Sequence, residues 1–279
     1  KIIYAIVMAC FIAPAIAQQS SQEEQIRAWM RNQSRTEVKT IHSNILGADR
    51  DYTVYLPAGY ESQPDRYYPV LYLLHGMNGT NKDWADRGHL KDVMDQLRAA
   101  GEVCDMIVIS PDAGGDIYKG AWNGYFDMDG WAYERFFYEE FLPTVEKQYR
   151  IKGDKANRAI AGLSMGGGQS FYAGLQNTQL FSAVGIFSSG IFGGIASANA
   201  FDAEKEIPGL LSNPESFNKA LQLFYISVGE QDPRIEPTKR QIAIFKEKGL
   251  DVTFATFPGD HEWQVWRKSL HDFSSRLFK

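Results

Sequence analysis

Cysteine is scarce in this chain of 279 residues, which contains only two. Cys10 lies in an apolar stretch at the N-terminus, and Cys104 lies just before the predicted strand at residues 106–109. If the N-terminal stretch is removed on export, a single thiol remains and excludes an internal disulfide framework. The sequence has no cysteine spacing typical of a zinc or iron–sulfur site, and we predict neither a metal nor a cofactor.

Clustered positive charge is missing as well. The chain has 29 Lys and Arg against 34 Asp and Glu, for a formal net charge of -5, and its basic residues form no run. Nucleic-acid-binding proteins usually present a basic face, so no nucleic-acid partner is expected. The 44% hydrophobic and 23% charged residues are typical of a globular protein, and the length suits one large domain.

The apolar segment at the N-terminus is too short to span a bilayer. Residues 1–17 comprise Lys1, an apolar run and the small-residue string Ala15-Ile16-Ala17. This pattern is typical of a cleavable signal peptide and predicts a secreted or periplasmic protein without a membrane span. Lipid attachment at Cys10 and a buried N-terminal helix are the alternatives. Residues 18–35 are polar and are interpreted as a linker or a short surface helix.

Apolar runs of strand length alternate with helical spacing from residue 36 onward. Continuous apolar runs such as residues 70–74 are typical of parallel strands buried on both faces. The alternation predicts an α/β fold, a single domain over residues 36–279 whose mostly parallel sheet carries helices on both faces. The predicted strands are residues 38–45, 50–56, 70–74, 106–109, 158–161, 181–187, 223–228 and 252–257, and the predicted helices are residues 90–100, 131–148 (bent at Pro143), 165–175, 237–248 and 263–278.

One sequence motif indicates a catalytic residue. Gly162-Leu163-Ser164-Met165-Gly166 is a G-x-S-x-G string between a predicted strand and a predicted helix. The sharp turn between such elements strains the serine backbone and crowds the positions two residues before and after it, where glycine relieves the clash. The motif predicts Ser164 as a catalytic nucleophile. The alternative is a glycine-rich helix entry with an incidental serine.

A serine hydroxyl needs a base, and the sequence offers five histidines. His261 is favoured because it lies in the loop between the last predicted strand and the last predicted helix, where a hydrolase of this kind delivers its base. A solvated loop histidine is the alternative. The other four lie in the early hairpin, in a loop motif, at a helix start and in the terminal helix: His42, His75, His89 and His271.

A nucleophilic serine and its histidine base usually work with a third residue, an acid that orients the imidazole. It should follow a strand between the serine and the histidine. Asp232 meets this condition, because it lies in the loop after the strand at residues 223–228. Glu230 in the same loop and the more distant Asp202 and Glu204 are the rivals.

Two backbone N–H groups are predicted to bind the oxyanion of the tetrahedral intermediate. One belongs to Met165, at the start of a helix whose dipole favours negative charge. The other belongs to the loop after residue 74, and Met77 is the favoured donor. His75 is interpreted as a structural residue of that loop.

Two strings resemble a known family. Residues 69–76 (PVLYLLHG) and 159–170 (AIAGLSMGGGQS) resemble the esterase D-like family of α/β-hydrolases, with the greatest likeness to the feruloyl esterase and acetyl xylan esterase branch of carbohydrate esterase family one. The likeness covers about residues 36–279. It implies the α/β-hydrolase fold, the triad and oxyanion donors given above, and hydrolysis of ferulate-type or acetyl esters of plant xylan or its oligosaccharides.

Three residues are predicted to contact the substrate: Gly76, Trp122 and Trp263. Trp122 lies in an aromatic-rich segment that could stack on a phenolic acyl group or a sugar ring, or pack on itself. The family also contains siderophore esterases and acyltransferases, which are therefore alternative functions on the same triad. A non-catalytic carbohydrate-binding module is an alternative from a different class.

Overall fold

The computed structural model describes residues 22–30, 32–113, 133–193 and 201–279. The predicted signal peptide (residues 1–17), Cys10 and Trp122 lie outside the described residues. Part of the predicted polar linker, residues 22–30, is helical. None of the helices in the described ranges has both the length and the apolar character needed to cross a membrane.

Within the described residues, eight strands form one sheet in the order β1-β2-β4-β3-β5-β6-β7-β8. The pairs β1–β2 and β2–β4 are antiparallel, and the other pairs are parallel. The predicted mostly parallel sheet is therefore confirmed. The strands are β1 (Arg35–Ser43), β2 (Ala48–Leu56), β3 (Val70–Leu74), β4 (Ile107–Pro111), β5 (Arg158–Leu163), β6 (Ala183–Phe187), β7 (Leu223–Gly229) and β8 (Thr253–Phe257).

Helices lie between successive strands from β3 to β8, and helices pack against both faces of the sheet. Three short ones were not predicted: Asp83–Asp86, Ala203–Glu206 and Pro214–Ala220. Helices of four to seven residues carry too few turns for an apolar period to be recognised. The described helices are α1 (residues 22–30), α2 (Asp83–Asp86), α3 (Leu90–Ala99), α4 (Tyr133–Arg135), α5 (Leu142–Gln148), α6 (Met165–Gln176), α7 (Ala203–Glu206), α8 (Pro214–Ala220), α9 (Ile235–Glu247) and α10 (Trp263–Ser274).

The helix predicted over residues 131–148 is irregular. Its described part consists of α4, a π-helical turn over Phe136–Phe141 and α5. Pro143 lies in the first turn of α5, the part of a helix where a residue without an N–H is tolerated. The wider π-helical turn comes directly before it. The irregularity therefore includes the turn before the proline, and the bend at Pro143 itself stays a prediction.

The apolar run of β3 divides between two cores. Tyr72 and Leu74 pack with residues of α5, α6 and α9 on one face of the sheet. Leu71 and Leu73 pack with residues of α3 and α10 on the other face. Side chains of a strand alternate between faces, so a strand buried on both sides is apolar throughout. This packing fixes the carboxyl ends of the parallel strands, where the candidate site lies.

Candidate active site

Ser164 occupies the sharp turn between β5 and α6. Its backbone has φ 53° and ψ -112°, a conformation with positive φ that a serine rarely adopts. The Ser164 N–H donates to the carbonyl of Phe187 at 2.7 Å, which ties the turn to the end of β6. The strained turn projects the hydroxyl from the carboxyl edge of the sheet, as the motif predicts.

The two glycines of the motif are required by backbone contacts. A Cβ on Gly162 would lie 2.4 Å from the carbonyl carbon and oxygen of Gly166. A Cβ on Gly166 would lie 2.4 Å from the carbonyl oxygen of His75. Real Cβ contacts of this length do not occur, so only glycine lets β5, α6 and the loop after β3 meet at the serine.

Three side chains from separate loops form one hydrogen-bonded line. His261 Nε2 lies 3.0 Å from Ser164 Oγ, and His261 Nδ1 lies 2.8 Å from Asp232 Oδ2. Asp232 follows β7 and is fully buried, whereas His261 lies in the loop between β8 and α10. With the carboxylate accepting from Nδ1, Nε2 is free to accept the serine proton.

The environment of Asp232 favours its ionised form. Burial raises the pKa of the Asp232 carboxyl, but hydrogen bonds from His261 and Arg234 outweigh it and lower the net pKa below the usual value. Oδ1 accepts from both the backbone N–H and the guanidinium of Arg234, each at 3.0 Å. The carboxylate is therefore charged and held on both oxygens.

This lowered pKa predicts a stability change in acid. The folded pKa of Asp232 lies below the unfolded value of about 3.9, so the carboxylate adds stability that is complete above that value and is lost as the pH falls through the folded pKa. The difference in unfolding free energy between the wild type and Asp232→Asn should therefore shrink below about pH 4. Urea titrations at a series of pH values measure it, and an equal difference at about pH 6 and about pH 2.5 would contradict the pKa assignment.

The rival acids have other structural roles. Glu230 is exposed although it lies in the same loop as Asp232. Asp202 caps α7 by accepting the backbone N–H of Glu204 at 3.1 Å. The carboxylate of Glu204 accepts the backbone N–H of Gly209 at 2.8 Å. In the part of the chain that the structure describes, Asp232 is the only acid that hydrogen-bonds to the imidazole ring of the histidine beside the serine.

Three of the rival histidines lie on other elements. His42 is exposed on β1 and pairs with Asp49 at 2.7 Å. His89 directly precedes α3, and His271 lies within α10. Of the histidines, all of which the structure describes, only His261 hydrogen-bonds to Ser164.

His75 holds the loop that carries a predicted oxyanion donor. Its buried ring has Nδ1 2.7 Å from the carbonyl oxygen of Gly76, and its Nε2 lies 3.0 Å from the backbone N of Ala113. These distances fit a neutral ring that donates from Nδ1 and accepts at Nε2. The contacts support the structural role that the sequence predicts for this residue.

The loop after β3 lies against the serine. A Cβ on Gly76 would lie 2.6 Å from Leu163 Cδ1 and 3.6 Å from Ser164 Cβ, so Gly76 adjoins the serine side chain. Met77 follows Gly76, and Met165 is the first residue of α6. Both predicted donors thus belong to segments next to Ser164, and their oxyanion role stays a prediction.

Tryptophans link this loop to the histidine. Trp84 Nε1 donates to the Leu74 carbonyl at 2.9 Å, and the Trp84 ring meets Trp263 at 5.3 Å between centroids. Trp263 meets Trp266 at 5.1 Å, and Trp266 packs edge-on against His261 at 4.9 Å. Trp263 therefore lies within the packing around the site, and its contact with substrate stays a prediction. Sequence reasoning did not identify Trp84, and it gave Trp266 no role.

Comparison with known proteins shows a consistent set of relatives. The Esterase family model matches residues 43–277. An endo-1,4-beta-xylanase/feruloyl esterase of Xylanibacter ruminicola is 28% identical over 253 residues, which cover 89% of this chain and 32% of the relative. The chain thus spans about a third of the length of that relative.

Two solved structures share the architecture. A ferulic acid esterase is 37% identical, with a TM-score of 0.77, and the match covers 88% of this chain and 97% of that one. A ferulic acid esterase of the anaerobic fungus Anaeromyces mucronatus is 23% identical, with a TM-score of 0.70, over 88% of this chain and 91% of that one. The second likeness shows the fold alone.

Proposed function

The chain belongs to the Esterase family and has the α/β-hydrolase fold, and on that premise we propose that it is a serine carboxylic ester hydrolase that releases ferulate-type or acetyl groups from plant xylan or its fragments. The observation that carries the proposal is the line from Ser164 Oγ through His261 to Asp232, with distances of 3.0 and 2.8 Å. A serine beside a neutral imidazole that is oriented by a carboxylate is an activated nucleophile.

The proposed reaction has two halves. In the first, His261 Nε2 takes the Ser164 proton while Oγ attacks the ester carbonyl carbon, and the N–H groups of Met77 and Met165 bind the resulting oxyanion. His261 then gives the proton to the departing alkoxide, which leaves an acyl-serine. In the second half, His261 takes a proton from water as the water oxygen attacks the acyl carbon, and the bond from that carbon to Ser164 Oγ then breaks. His261 returns the proton to Oγ, which releases the acid and regenerates Ser164. Asp232 stabilises the imidazolium in both halves.

The names of the relatives support ferulate as the acyl group that the enzyme releases. Both the 37% identical structure and the 28% identical relative are named as esterases of ferulate-type acids. Siderophore ester hydrolysis and acyl transfer would use the same three side chains, so the triad alone does not separate them. A non-catalytic carbohydrate-binding module would have no need of a strained serine held beside a histidine.

We also propose that the protein is exported. The support is the sequence pattern of residues 1–17, with its lysine, apolar run and Ala15-Ile16-Ala17. Cleavage after Ala17 would remove Cys10 and with it the alternative of a lipid anchor. The acylated polysaccharide proposed as substrate is too large to enter a cell, which agrees with export.

An ester panel tests the substrate. Methyl ferulate, acetylated xylan and a catecholate siderophore are each incubated with the wild type and with Ser164→Ala, and the released acid is quantified. We expect the wild type to release ferulate or acetate faster than it cleaves the siderophore, and the variant to release neither. A wild type that cleaves the siderophore fastest, or that transfers the acyl group to a sugar, would overturn the proposed substrate.

A further inference from the structure

Arg234 lies against the carboxylate of the triad in an environment that is costly for a cation. Its side chain is 12% exposed, and its guanidinium Nη1 lies 3.0 Å from Asp232 Oδ1. Its Nε is buried and has no hydrogen-bond partner among the described residues. A buried donor without a partner lowers stability. The presence of Arg234 at this place therefore calls for a functional explanation, and its contact with Asp232 suggests where that function lies.

The two oxygens of Asp232 are used for different purposes. Oδ1 accepts from the Arg234 guanidinium and from the Arg234 backbone N–H, each at 3.0 Å. Oδ2 lies 2.8 Å from His261 Nδ1. Rotation of the carboxylate about its Cβ–Cγ bond would break the contacts on both oxygens together. The guanidinium therefore restricts the orientation from which Oδ2 meets the imidazole.

We propose that Arg234 is a positioning residue that fixes the Asp232 carboxylate and, through it, the ring of His261; the inference rests on the proposed function. Its charge by itself would oppose the imidazolium that forms during the reaction, since both are cations near one carboxylate. Orientation and charge thus predict opposite effects of removing Arg234. If orientation dominates, turnover falls, and if charge dominates, turnover rises.

The test is Arg234→Met with methyl ferulate as substrate. We expect kcat per active site to fall about 10- to 100-fold, because the variant loses one charge-assisted hydrogen bond to the carboxylate. KM should stay within about twofold of wild type. Active sites are counted by titration with a serine-directed phosphonate, so a folding defect lowers the titrated fraction and not kcat per site. Arg240→Met is the matched control, because Arg240 is exposed on α9, and its kcat should equal that of the wild type.

A double-mutant cycle with Asp232→Asn shows whether Arg234 acts through the carboxylate. In the Asp232→Asn background, Arg234→Met should change kcat by less than about threefold, because the carboxylate that it orients is already gone. A full additional loss in that background, or an unchanged or raised kcat in the single variant, would overturn the proposal. A wild type without esterase activity would instead show that the proposed function itself is wrong.

Discussion

Replacing Ser164 by alanine is expected to lower kcat for a nitrophenyl ester by at least about 10⁴-fold while the protein stays folded. The alanine keeps the backbone turn but removes the only side-chain oxygen that hydrogen-bonds to His261 Nε2 within the described residues. Without that oxygen no acyl-enzyme forms, and the remaining groups can only assist attack by water. Steady-state kinetics and circular dichroism of purified variant and wild type measure the two parts of the prediction.

Ser170→Ala is the matched control for this loss. Ser170 lies on the same helix, α6, and its buried hydroxyl donates to the Gly166 carbonyl at 2.8 Å. We expect its removal to lower the unfolding free energy by about 1 kcal/mol and to leave kcat within about twofold of wild type. An active Ser164→Ala protein would mean that another residue is the nucleophile.

The second large effect is expected for Gly162→Ala. The new Cβ would lie 2.4 Å from the backbone carbonyl of Gly166 and 2.9 Å from Leu74 Cβ. A backbone group cannot rotate away as a flexible side chain can, so β5 and α6 must separate. We expect the unfolding free energy to fall by about 1–3 kcal/mol. We also expect kcat to fall about 100-fold or more, because a shift of about 1 Å at Ser164 misaligns the hydroxyl and the imidazole.

A substitution at a loop glycine is the control that separates the loss of stability from the loss of kcat. Gly249 has φ +85° and open space around its Cβ position, so Gly249→Ala strains the backbone without a clash. We expect that variant to lose about 1 kcal/mol of stability and to keep wild-type kcat. If Gly162→Ala likewise keeps its kcat, the close approach of β5 and α6 is not what aligns the serine.

Strands β3 and β6 were predictable because they are buried on both faces and consist of apolar and aromatic residues, whereas the edge strand β8 is only partly buried. The ends of the strands and helices were less predictable. β6 begins at Ala183, not at the predicted residue 181, and α10 ends at Ser274, not at the predicted residue 278. Apolar side chains continue past these ends, so hydropathy alone does not mark the point where the hydrogen-bond ladder stops. The fold and the resemblance to the esterase family are confirmed.

In the candidate site, too, some residues were predictable from the sequence and others were not. Ser164 was recognisable because the strained turn demands glycines at fixed spacing, and His261 and Asp232 followed from chain order. Arg234 was missed and Trp266 was given no role, because nothing local indicates what either side chain contacts. Arg234 hydrogen-bonds to Asp232 and Trp266 packs against His261, and these contacts are seen only in the folded chain. The catalytic roles of the three triad residues stay predictions.

Phosphonate trapping tests the central claim most directly. The wild type is inactivated with a serine-directed phosphonate and digested, and the labelled peptide is mapped by mass spectrometry. The proposed mechanism predicts one label per chain, on Ser164, and a rate of labelling that falls at least about 10³-fold in His261→Ala. A label on another residue, or labelling of Ser164 at the wild-type rate without His261, would contradict it.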